Sequence, residues 1–337
     1  MSNPGTRRSF AGDLPLPNHP VTSESIEQAR ERIGELRHLQ VRDAARVRLD
    51  RFPDFLILGP QRTGTTWLYH NLKKHPQIAL PRTKETYYFT TLGRPEHRHF
   101  ECEYLDDFLD RHLRERPRHV LKRHYDSLRK CGELYRPKVR GEATATNALL
   151  APEVIAEIVS LRPELKAILM LRDPVERAWS HARKDLVRKF GRKPEDVAAG
   201  EYAKFFRASG QRGLAGYTTQ LRKWTAALRS GHVFVGDFSM IGGSPRELLS
   251  GVQRFLGVRS GPRYFNRHLE ERINPAGSEG GGVPAAAREK LEELLAEEIA
   301  EYAELRRLFS GGRDAKAVAD RLGFSLVSTP SDPGATS

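Results

Sequence analysis

The chain has 337 residues, 38% of them hydrophobic, with a formal net charge of +13. That length allows one large α/β domain or two modest ones, and the basic balance suits phosphate-rich or sulfated partners, nucleic acid or acidic membrane surfaces without choosing among them. Two cysteines, Cys102 and Cys131, make no disulfide framework. No stretch reaches the ~18 apolar residues of a membrane helix, and the first twenty residues lack the apolar run of a secretory signal, so a soluble, cytoplasmic protein without a membrane partner is expected.

In chain order, residues 1–22 are rich in Pro, Asn, Ser and Gly and read as a flexible tail. Residues 23–50 read as an amphipathic helix with Ile26, Ile33, Leu36, Val41 and Val47 as its stripe. Such a helix fits packing or oligomerisation, a homodimer included. Phe52–Leu58 is a short apolar run entering Gly59-Pro60, hence a strand opening into a loop. A helix follows over Trp67–Lys74 and stops at His75-Pro76, because the residue before proline is biased away from α. Residues 93–138 are dense in Arg, His and Glu, with helices expected over Phe100–His112 and Val120–Cys131. Beyond them come a helix at Pro152–Val159, a buried strand at Lys166–Leu171 and a helix from Val175. Then follow a helix at Thr218–Leu228, a strand at His232–Val235, a helix at Pro245–Leu256 and one long helix at Ala285–Leu308. Residues 326–337 read as a second flexible tail. Residues 51–325 therefore form one expected α/β domain, a central parallel sheet flanked by helices, with ligands at the carboxyl ends of its strands.

The loop Gly59-Pro60-Gln61-Arg62-Thr63-Gly64-Thr65-Thr66 carries the strongest chemical signal. Glycines let backbone N–H groups approach an anion, and the following helix adds its positive N-terminal end. The spacing overlaps a Walker A loop, but Thr65 stands where the triphosphate lysine belongs and the cation sits inside the loop as Arg62. A second candidate anion site is Arg172-Asp173-Pro174 at the end of a strand, with Ser180 about two helical turns on. An N-capping Asp173 would explain the turn but not the pairing of Arg172 with Ser180. Arg177 and His181 read as surface or packing residues.

Together these motifs resemble the PAPS-dependent sulfotransferases, where PAPS is 3′-phosphoadenosine 5′-phosphosulfate. The resemblance covers about residues 52–308, is specific in the two motifs, and implies a P-loop-NTPase-like fold. It implies that Arg62 contacts the phosphosulfate and steadies the leaving bridging oxygen, while the loop through Thr63, Gly64, Thr65, Thr66 and Trp67 holds the 5′-phosphate. It assigns Arg172 and Ser180 to the 3′-phosphate. Lys84-Glu85-Thr86-Tyr87 resembles the lysine–glutamate segment of the heparan-sulfate-type branch and its bacterial relatives, which makes Glu85 the general base and Lys84 its helper. Tyr87 departs from the His frequent there, and His124 is the remote alternative base. Gly141-Glu142-Ala143-Thr144 resembles an acceptor-pocket segment, while Tyr264 and Arg272 fall where the family closes a loop over the nucleotide.

The expected reaction is transfer of a sulfuryl group to a hydroxyl of a carbohydrate or small metabolite, with PAPS as co-substrate. The histidines from His97 to His124 match no zinc spacing, and no metal is expected. Two other readings compete: a P-loop phosphotransferase, opposed by Thr65, and a nucleic-acid-binding protein, which has charge in its favour but no recognition motif.

Overall fold

A computed structural model describes residues 31–266, 269 and 283–309. Strand β1 (Phe55–Gly59) leads through the glycine loop into α1 (Thr65–Leu72). Then follow β2 (Ile78–Ala79), α2 (Leu105–Arg111), α3 (Pro117–Cys131), β3 (Val139–Ala143), α4 (Pro152–Leu161), β4 (Lys166–Leu171) and α5 (Pro174–Ala182). The remainder is α6 (Ala199–Arg207), α7 (Ser209–Ala215), α8 (Tyr217–Ala227), β5 (Val233–Asp237), α9 (Ser239–Gly243), α10 (Pro245–Phe255), α11 (Ala285–Leu294) and α12 (Ala296–Phe309).

The five strands form one parallel sheet in the order β2-β3-β1-β4-β5. Side chains alternate across a strand, and β1 is apolar on both faces because both faces are covered. Leu56 and Leu58 join Phe108, Ile155, Leu221 and Trp224 on one side. Phe55 and Ile57 join Trp67, Leu72, Ile168 and Val252 on the other. Each such buried side chain contributes about 1.5–3 kcal/mol. After β1 the chain builds one flank of the sheet and then crosses to the other, so a crevice opens at the carboxyl end of β1, where such sheets bind ligands.

Three expectations change. Beyond residue 35 the N-terminal segment is not a helix but a strap of extended chain and short 3₁₀ turns. Its amides bond side chains instead of their own carbonyls: Glu157 accepts from the N–H of Arg37 at 2.8 Å, His38 at 3.0 Å and Leu39 at 2.8 Å. The C-terminal helix is two helices broken at Leu295, where φ is −112° and ψ 22°. Leu291 and Leu295 serve a core beside α5, whereas Tyr302, Leu305 and Leu308 serve the core under the sheet, and one straight helix does not reach both. Strands β2 and β3, helices α6 and α7, and a π-turn at Arg183–Val187 were not anticipated.

Candidate active site

The loop after β1 is shaped by sterics. A Cβ on Gly59 would sit 2.1 Å from the Ala145 carbonyl oxygen, and one on Gly64 would sit 2.4 Å from Ile241 Cδ1. Gly64 caps α1 with φ +95°, a conformation only glycine adopts without cost. Thr63 is fully buried and its hydroxyl donates to the Pro60 carbonyl at 2.7 Å. Its side chain therefore shapes the loop, leaving its backbone to face a ligand. The first N–H groups of α1, through Trp67, have no partner within the helix and form an anion cradle. The Trp67 indole is spent elsewhere, donating to the Leu269 carbonyl at 3.1 Å.

Both sequence motifs meet here. Arg62 Nε donates to Ser180 Oγ at 3.0 Å, and Arg172 Nη1 donates to the Arg62 carbonyl at 2.9 Å. Arg172 stacks on Phe238 at 4.2 Å, and its own carbonyl accepts from the Tyr217 hydroxyl at 2.6 Å. Neither arginine has a carboxylate within ion-pair distance among the described residues. Burial, then the neighbouring charges of Arg172 and Arg188, pull Arg62 down to about 10, with Asp185 opposing. Burial likewise lowers Arg172. Glu176 opposes that shift at Arg172, yet neither cation is ion-paired among the described residues, and both are poised for an anion.

Glu85 lies on a loop docked against the end of β3. Its backbone N–H donates to the Ala143 carbonyl at 2.9 Å, one carboxylate oxygen accepts from the Ala145 N–H at 2.9 Å, and the other pairs with Lys84 Nζ. Each oxygen keeps a second lone pair for a substrate. Burial holds Lys84 down to about 8; Lys184 and Arg62 act in the same sense and Glu142 opposes them. Among the described residues only three non-glycine residues have positive φ: Arg62 at 73°, Glu85 at 66° and Tyr87 at 56°. Such conformations cost on the order of 1 kcal/mol or more each and gather where function demands them. All three border this site.

Glu142 is the residue that sequence reasoning undervalued. It is fully buried on β3 and accepts from Thr86 Oγ1 at 2.8 Å, Asn147 Nδ2 at 2.8 Å and Thr144 Oγ1. Thr86 follows Glu85, and Thr144 precedes the amide that holds it, so Glu142 fixes both sides of the Glu85 clamp. Burial raises its pKa, against the pull of its three donors. The π-turn after α5 was also missed: its Lys184 and Asp185 act electrostatically on Lys84 and Arg62.

Other expected residues fall elsewhere. Tyr264 is buried at the far end of α1, its ring 4.6 Å from His75 and its hydroxyl donating to Glu133 at 2.7 Å, so the structure does not bring it to the loop. Arg272 lies outside the described residues. Arg177 takes the packing place of the two expected for it: it is fully buried and held by Gln211 at 3.0 Å. His124 sits on α3 facing Tyr135, with ring centroids 6.1 Å apart. Among the described residues no helix is long and apolar enough to cross a membrane.

Fold and site define an α/β protein with an anion-cradling loop after its first strand. A profile described as the Sulfotransferase family matches residues 53–260, more than half of the chain. The chain is 28% identical over 224 residues to bifunctional heparan sulfate N-deacetylase/N-sulfotransferase 1 of Mus musculus, covering 64% of this chain and 23% of that protein. It is 30% identical over 131 residues to the membrane-associated sulfotransferase kil1 of Dictyostelium discoideum, covering 38% and 22%. A solved sulfotransferase from Alicyclobacillus acidocaldarius superposes with a TM-score of 0.49 at 20% identity, covering 81% of this chain and 97% of that one. The chain belongs to the sulfotransferase family, transferases of sulfur-containing groups. It spans under a quarter of the length of these curated relatives.

Proposed function

We propose that the protein transfers the sulfuryl group of PAPS to a hydroxyl of a carbohydrate or small metabolite, with Glu85 as general base. The observation that carries this reading is the convergence of two half-buried arginines, Arg62 and Arg172, on one glycine loop with no carboxylate within ion-pair distance among the described residues. The loop N–H groups and Arg62 take the 5′-phosphosulfate; Arg172 and Ser180 take the 3′-phosphate. Glu85 accepts the acceptor's hydroxyl proton as its oxygen bonds to sulfur. The bond from sulfur to the bridging oxygen breaks in line, and its electron pair stays on the 5′-phosphate of adenosine 3′,5′-bisphosphate (PAP). Arg62 stabilises that developing charge, an interaction stronger in the transition state than in the ground state. Lys84 orients Glu85 and faces the transferring group.

A phosphotransferase reading is disfavoured because Thr65 has no ammonium for a triphosphate. The test is transfer of label from ³⁵S-PAPS to a panel of hydroxylated acceptors, with Glu85→Gln in parallel. Label in a product that Glu85→Gln does not form supports the assignment. Equal product from Glu85→Gln would remove Glu85 as the base, and His124 would be replaced next.

A further inference from the structure

Among the described residues seven large apolar side chains are exposed, and four of them, Leu121, Tyr125, Leu128 and Leu134, fall within residues 121–134. Single exposed apolar residues are ordinary, whereas a cluster marks a contact surface. The first three lie on α3 at i, i+4 and i+7 and so share one face of the helix. They are 72%, 64% and 54% exposed. The only α3 residues buried against the protein are Ser127 and Cys131. A surface helix normally turns its apolar stripe inward; α3 leaves its stripe outside and is held by polar contacts instead. Arg123 donates to the carbonyls of Lys73 at 2.6 Å and Ile78 at 2.9 Å, and its guanidinium lies over the Tyr135 ring at 4.0 Å.

The charge beside the stripe is one-sided. Arg118, Lys122 and Arg129 form the next row round the helix, all exposed and without an ion-pair partner among the described residues. Beyond them runs a basic groove of about 930 Å³, bounded by α3, the last turn of α1 and the segment after β2. Twelve lysines and arginines line it against two carboxylates, Glu115 and Asp126. Leu121, Tyr125 and Leu128 do not line that groove; they stand on the helix beside it. An apolar row next to a basic row is the layout of a helix lying in the plane of an anionic interface. Tyrosine, apolar in its ring and polar at its hydroxyl, suits that boundary.

We infer that α3 docks the protein on an anionic phospholipid surface, with Leu121, Tyr125 and Leu128 entering the acyl boundary and the basic row meeting headgroup phosphates. The inference does not depend on the sulfotransferase reading. The expectation of no membrane partner came from the lack of a spanning stretch, which a helix lying on the surface does not need. A second copy of the chain fits less well, because α3 against α3 would set Arg118, Lys122 and Arg129 of one copy against the same charges of the other. A partner protein also fits less well. Three side chains in a row about 10 Å long fall short of the ~20–30 residues a side of a stable protein interface. A lipid surface needs no matching pocket, and exposed lysines and arginines add to its attraction.

The test uses the full chain with saturating PAP, so that the donor loop takes no headgroup phosphate. Co-sedimentation at low and high salt measures binding to vesicles of pure phosphatidylcholine and of phosphatidylcholine with phosphatidylglycerol in equal parts. Sedimentation equilibrium without vesicles gives the oligomeric state. The expected result is partitioning onto the anionic vesicles at least tenfold above the neutral ones, weakened by salt because the charges are exposed, and a monomeric chain in solution. Leu121→Asp/Leu128→Asp should lose at least tenfold in that partitioning while circular dichroism and PAP affinity by calorimetry stay unchanged. If that variant misfolds, Leu121→Ala/Leu128→Ala is read in its place, with the same direction of change. Three outcomes overturn the inference: no preference for the anionic vesicles, equal binding by the folded variant, or a wild-type dimer that the variant does not form, which would give the stripe to a second copy.

Discussion

The donor loop and the basic groove both present positive charge, yet they are built in opposite ways. At the loop the charge is backbone and a few fixed side chains: the glycines, the N-terminus of α1, and Arg62 and Arg172, both half-buried and both tied by hydrogen bonds. In the groove it is long, exposed side chains on α3 and the segment after β2. A preorganised low-dielectric site gains more from each charge than a solvated one. The loop therefore suits a single small ligand held at defined atoms, while contacts made by the groove's side chains are weak and salt-sensitive.

The comparison can be broken most sharply at Arg62. Arg62→Ala should lower kcat by about 10³-fold with the fold retained, the scale of removing one transition-state donor; circular dichroism and turnover with PAPS check both halves. Glu85→Gln should follow with about 10²-fold in kcat, within the range for general bases, and unchanged PAP affinity by calorimetry. Arg172→Ala should act mainly on binding. Losing charge-assisted hydrogen bonds of about 1.5–3 kcal/mol weakens PAP roughly ten- to a hundredfold, and an unchanged dissociation constant would move the 3′-phosphate site elsewhere.

Glu142 gives the smallest effect and sharpens the picture of how Glu85 is held. Its pKa is raised above the ordinary 4.5 by burial, so the folded state binds the proton more tightly than the unfolded state. Stability from this group is then full below the unfolded pKa and is lost as pH rises toward the folded pKa. Glu142→Gln should flatten that part of the stability–pH profile, measured by urea unfolding. If the wild-type profile and that of Glu142→Gln are parallel, Glu142 is not the group responsible.

The donor half was legible because its chemistry is local. Strand, glycine loop and helix are contiguous from Phe55 to Leu72, and Arg172 and Ser180 lie on one strand–helix turn. The rest depends on register and assembly. Glu142 matters because pairing of β3 beside β1 brings it under Thr86, which is 56 residues away. The groove collects charges from residue 51, residues 70–83, 111–130 and 140, and no window of sequence holds them together. The strap at residues 36–50 lost its helix to carboxylates on α4 and α2, and the C-terminal helix broke because two cores compete for its apolar face. Tyr264 had the right neighbourhood in sequence and the wrong one in space, since its hydroxyl found Glu133.

The central claim is that the loop and Arg172 select a doubly phosphorylated adenosine rather than a triphosphate. Thermal unfolding of the full chain with PAP, or with ATP and Mg²⁺, tests it directly. A clear rise in Tm with PAP, absent with ATP and Mg²⁺ and reduced in Arg172→Ala, is the predicted result. Stabilisation by ATP and Mg²⁺ without any by PAP would contradict it.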